Sequence, residues 1–155
     1  MKKIILAMFV ALFGITTMAI AAEGNGSVAQ VSSEEVYLGL FKNITMNGTA
    51  KDSVEDKTTS VIVSNNVISS LKSESFRVGK MPGTITISAS NLSVSSTGTF
   101  SGTCTVTLKI VSGTDYSGTI SGTLKDGKLV YNVVCNASWL GVSFDTDVTF
   151  EGEVI

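Results

Sequence analysis

The sequence predicts an all-β domain: a single eight-stranded antiparallel up-and-down barrel, preceded by a signal peptide. Three observations predict it. Beyond the apolar N-terminus, apolar and polar residues alternate with a period of two, the pattern of strands with one buried and one wet face. Asn, Asp, Gly and Ser signals separate these runs at short intervals, and helical periodicity is absent after the N-terminal segment. The composition suits a pleated surface, rich in Thr, Val, Ile and Ser, with 15 glycines for bends and one proline, Pro82.

The opening "MKKIILAMFVALFGITTMAIAAEGNG" has the three parts of a secretory signal. Lys2 and Lys3 form the basic region, Ile4 to Ile15 the apolar region, and Ala19-Ile20-Ala21 a small-x-small cleavage site. The competing reading is a retained anchor, because Ile4 to Ala22 is barely interrupted. The cleavage site and the polar "EGNGS" favour removal of residues 1–21. That leaves a polar tail over 22–35 and a domain over 36–155, exported to the periplasm or the outside of what the short "MKK" signal marks as a bacterium. Cleavage removes two lysines and no acid, taking the formal charge from −2 to −4. Mild acidity without a basic stripe argues against a nucleic-acid partner.

The predicted strands follow in order. Val36 to Asn47 shows apolar residues on both faces, which a bulge near Lys42-Asn43 would bring to one side. A long charged loop, Gly48 to Lys57, leads to a strand over Thr58 to Asn65, and a tight turn at Asn65-Asn66 starts the next, to Val78. Gly79 to Thr84 is a loop marked by Pro-Gly. The strand from Ile85 to Ser95 changes phase between Ala89 and Leu92, which signals a second bulge or bend.

The last four strands are the cleanest. Phe100, Gly102, Cys104, Val106, Leu108 and Ile110 share one face of the fifth, and Tyr116, Gly118, Ile120, Gly122 and Leu124 one face of the sixth. Leu129, Tyr131, Val133, Cys135, Ala137 and Trp139 form the inner set of the seventh, and Val142, Phe144, Val148 and Phe150 that of the eighth. A two-residue turn at Asp126-Gly127 pairs Gly122 with Tyr131 and Gly118 with Cys135. A second at Leu140-Gly141 pairs Ala137 with Phe144 and Tyr131 with Phe150. Inward residues then meet inward residues across both hairpins. Successive hairpins without a crossover helix give a meander that closes into a barrel, with a two-sheet sandwich as the competing architecture.

Several chemistries find no support. The chain has no histidine, which removes Ser-His and Cys-His catalysis and the commonest zinc ligand. No phosphate-cradling loop, Cys-x-x-Cys pair or nucleophile elbow is present, so no catalytic, cofactor or metal residue is assigned. Asp145, Asp147 and Glu151 on one strand face, and Asp52, Glu55 and Asp56 in one loop, read as solvated carboxylates. Centring the turn between the fifth and sixth strands at Gly113 sets Cys104 level with Gly122 and Tyr131, four residues along from Cys135. That separation predicts two buried, unlinked thiols despite the oxidising destination.

"YLGLF", "SGTLKDGKLVYNV" and "VTFEGEV", in this order across Val36 to Ile155, resemble the secreted calycin-like domains, relatives in shape of the lipocalins. The resemblance implies an eight-stranded barrel in a family whose function is largely unassigned. True lipocalins begin with Gly-x-Trp, whereas this chain has Tyr37-Leu38-Gly39, so lipocalin ligand residues do not carry over.

In such a barrel the longer loops gather at one end and the tight turns at the other, describing a cup. Met46, Tyr116, Trp139 and Phe144 fall near the long-loop end and are the candidate lining for a small apolar or amphipathic ligand. The plainer reading is that these side chains fill the barrel. Two functions follow: a non-enzymatic ligand-binding cup, or a structural or adhesive surface module whose Thr-rich outer strands meet proteins or glycans.

Overall fold

A computed structural model of the chain describes residues 32–139 and 142–155, apart from the side chains of residues 139 and 142–144. The expected signal segment and most of the expected tail lie outside the described residues. Ten strands form one antiparallel sheet: β1 (Ser33–Met46), β2 (Thr49–Ala50), β3 (Val54–Ser64), β4 (Val67–Ser73), β5 (Thr84–Ala89), β6 (Leu92–Ser93), β7 (Thr99–Lys109), β8 (Gly113–Lys125), β9 (Lys128–Trp139) and β10 (Val142–Val154). Hydrogen bonding runs β10-β9-β8-β7-β5-β4-β3-β1, and β10 pairs back onto β1. The result is a closed eight-stranded barrel, with β2 and β6 as short additions on β1 and β4.

The turn residues act as their chemistry requires. Asn65 and Asn66 have φ of 48° and 58°, and Asp126 and Gly127 have 53° and 73°. Two successive left-handed residues match the twist of the flanking strands, which is why Asn-Asn and Asp-Gly stand there. The β9–β10 and β8–β9 registers are those expected, with Tyr131 opposite both Gly122 and Phe150. The expected bulge in β1 is present: its pairing with β10 shifts between Lys42 and Thr45, and Asn43 takes φ 50°. The expected phase change is present too. β5 stops at Ala89, Asn91 turns through φ 56°, and β6 leaves β7 to pair with β4.

Four details depart from the sequence reading. β4 ends at Ser73 rather than Val78, and beyond it Phe76 makes only an isolated bridge to Ile85. β1 starts at Ser33, inside the expected tail, because Ser33 to Val36 pair with β3. The long charged loop is mostly strand: Asn47-Gly48 is itself a left-handed turn into β2, and β3 begins at Val54. The β7–β8 turn is centred on Val111, since Lys109 pairs with Gly113, and Ile110, expected on the inner face, lies in that turn and is exposed. Gly113 is an ordinary strand residue there, and Cys104 consequently moves level with Gly118 and Cys135.

The core fills the barrel. Tyr37, Phe41, Phe76, Tyr131 and Phe150 are almost fully buried, with Ile68, Leu71, Ile87 and Leu129. Phe41 stacks on Phe76 with centroids 3.8 Å apart, and Tyr131 lies 5.2 Å from Phe150. Phe76 and Val78 belong to the β4–β5 connection, which folds inward rather than standing clear as a rim. Hydroxyls and charges face outward, the inverse of the polarity a lipid-embedded barrel carries.

Candidate functional site

Three places merit inspection: the barrel interior, the outer face of β7 and β8, and the acidic positions. In the interior, Tyr131 of β9 reaches across to β3, where its hydroxyl lies 3.1 Å from Thr59 Oγ1. Thr59 is fully buried, and this bond satisfies both hydroxyls. Burial pushes the Tyr131 phenol well above its ordinary range. Ser73, the other buried polar residue described, accepts the Ile87 N–H at 2.8 Å and so replaces a ladder bond with a side chain.

The interior void at the longer-loop end measures about 20 Å³. Met46, Phe76, Val78, Ile85, Val133 and Val148 contribute to its largely apolar wall. One water needs roughly 10–15 Å³ of such space, and a drug-sized ligand occupies a pocket of roughly 300–1,000 Å³. The side chains described therefore leave room for about one small molecule the size of water.

The expected lining residues separate. Met46 is half-buried and borders the void. Tyr116 is half-buried and does not line it; its hydroxyl donates to the Ser138 carbonyl, tying β8 to β9. The backbones of Trp139 and Phe144 pair with Val142 and Ala137, and their side chains lie outside the described residues. Phe76 and Val78, which the sequence reading set at the end of the third strand, were not among the expected lining residues. Their alternation, continuing through "SESFRV", was the available signal.

On the outer face, four hydroxyl pairs stand directly opposite one another along β7 and β8: Thr99–Thr123, Ser101–Ser121, Thr103–Thr119 and Thr105–Ser117. All but the half-buried Thr105 are exposed. Neighbouring strands lie about 4.8 Å apart and alternate residues about 6.7 Å apart, so the hydroxyls form a regular two-column array.

The acidic residues do not converge. Glu151 pairs with Lys42, which holds its carboxyl below the usual range, and Asp147 accepts from the Asn132 amide. Among the described residues, no group of three His, Cys, Asp or Glu is placed to hold a metal ion. No family model, curated protein or solved structure matches this chain.

Proposed function

We propose that this chain is an exported, non-enzymatic β-barrel of the calycin-like kind that works through its outer surface, its interior serving as a rigid scaffold. The observation that supports this reading is the contrast between an interior void of about 20 Å³ and a solvent-facing array of paired hydroxyls on β7 and β8. Closely spaced Ser and Thr hydroxyls offer donors and acceptors at fixed positions without long side chains to immobilise. They suit a polar partner surface, a protein or a glycan.

A second reading, a small apolar ligand held at the longer-loop end, is favoured by one observation: Met46 borders an apolar void there. Native mass spectrometry of protein purified from its own host separates the two. The surface reading expects the mass of the chain alone, and binding to host envelope fractions that Thr103→Lys with Ser121→Lys abolishes. A retained small molecule, with envelope binding unaffected by those lysines, favours the ligand reading instead.

A further inference from the structure

Cys104 of β7 and Cys135 of β9 flank Gly118 of β8 in one transverse row of the barrel wall. Both cysteines are buried and free. A Cβ built on Gly118 would lie 2.9 Å from the Val134 carbonyl oxygen, 3.1 Å from Cys104 Sγ and 3.3 Å from Cys135 Cβ. The two side chains thus border the gap that the glycine leaves between them.

The spacing discriminates between uses of such a pair. Two strand intervals set the Cα atoms about 9–10 Å apart, since neighbouring strands lie about 4.8 Å apart. A disulfide needs them within about 7 Å. The β7–β8 and β8–β9 ladders are continuous through this row, so the strands are not free to approach. A single atom between the sulfurs changes the requirement. Two metal–sulfur bonds of about 2.3 Å in line span about 4.6 Å, against about 2 Å for a sulfur–sulfur bond.

The donor set also selects the ion. Two thiols, in a chain without histidine and with no group of three His, Cys, Asp or Glu gathered among the described residues, suit a soft ion of low coordination number. Both cysteines belong to the buried, inward-facing set, so the gap across Gly118 opens toward the barrel interior. The one bond to be surrendered is weak, a Cys135 thiol donating to the Ser117 carbonyl at 3.6 Å.

We propose that Cys104 and Cys135 bind one Cu(I) ion as a two-coordinate dithiolate across Gly118. Each thiol releases a proton as its sulfur–copper bond forms. Copper stays in the +1 state, the bound unit carries one negative charge, and no electron is transferred.

Anaerobic titration of the reduced full chain with Cu(I), against a chromophoric Cu(I) chelator, tests this. One Cu(I) per chain is expected, with a thiolate-to-copper absorption band in the ultraviolet. Cys104→Ala and Cys135→Ala should each weaken binding by more than the ~10–100-fold that losing an outer-shell contact costs. Far-ultraviolet circular dichroism of each variant establishes that the barrel is intact. Gly118→Ala, which keeps both thiols but fills the gap, should weaken binding as well. Retention of wild-type affinity by either folded cysteine variant, or less than one Cu(I) per wild-type chain, would overturn the proposal.

Discussion

Phe41 on β1 stands directly opposite Phe150 on β10, with ring centroids 5.2 Å apart. This pair joins the beginning of the domain to its end, and both rings are fully buried. Around it the interior is continuous: Phe76 stacks on Phe41 from the β4–β5 connection, and Tyr131 extends the cluster from β9. Aromatic pairs of this kind contribute about 0.5–1.5 kcal/mol each beyond the area they bury. Closure and core packing are therefore linked, since the side chains that seal the seam also pack against one another inside the barrel.

Glycines at the seam are there for want of room. A Cβ on Gly39 would lie 2.0 Å from the Glu151 carbonyl oxygen and 2.5 Å from Gly152 Cα, both backbone atoms. On Gly102 the close neighbour is Leu92 Cδ2 at 2.5 Å, the end of a side chain that is able to rotate. Gly39→Ala is expected to destabilise the domain by about 1–3 kcal/mol or more, and Gly102→Ala by less than about 1 kcal/mol. Urea unfolding of the two variants checks the order; equal losses would remove the steric account of the seam.

Thr59 and Tyr131 form a buried hydroxyl pair, and each depends on the other. Thr59→Val and Tyr131→Phe should each cost about 1–3 kcal/mol by leaving one hydroxyl unsatisfied. The double variant should cost less than the two losses together. A double-mutant cycle measures the coupling, and strict additivity would mean that the bond does not form.

Much of this was legible in the sequence. The β8–β9 and β9–β10 registers were placed to the residue because Asp126-Gly127 announces its turn and the inward residues agree across both hairpins. The β7–β8 register was misplaced because Gly113, a stronger turn residue than Ser112, stands just past the true turn at Ile110-Val111-Ser112. Asn47-Gly48, as strong a turn signal as Asp-Gly, was obscured by the charged stretch that follows it. The site was less legible than the fold. Period-two alternation tells which side chains point inward, but whether they leave a cavity depends on their volumes meeting across the barrel, as Phe76 and Phe41 do.

Turn chemistry offers a third test. Asn66 holds φ 58°, where a residue other than Gly, Asn or Asp is strained by about 1–2 kcal/mol. Asn66→Val should lower stability by about that amount, and Asn66→Gly should leave it within a few tenths of a kcal/mol. Thermal unfolding of both variants discriminates. Equal effects would show that the β3–β4 turn does not need a left-handed residue.

Alkaline pH should destabilise the fold. Burial raises the Cys104 thiol from its ordinary 9.0 to about 11, and the Cys135 thiol shifts in the same direction. Above pH 9 the unfolded chain loses thiol protons that the folded chain keeps, so stability falls as pH rises through that window. The share of Cys104 is on the order of 1 kcal/mol at pH 10. Urea midpoints should be lower at pH 10 than at pH 8, with a smaller drop in Cys104→Ala; identical drops would mean that the thiol is not buried.

The most direct test is a nuclear Overhauser spectrum assigned for the Phe41, Phe76 and Phe150 ring protons. Cross-peaks linking Phe41 to both Phe76 and Phe150 are expected, since strands at opposite ends of the domain then enclose an occupied centre. A Phe41 ring that sees Phe76 but never Phe150 would contradict closure, and one that sees neither would contradict the filled interior as well.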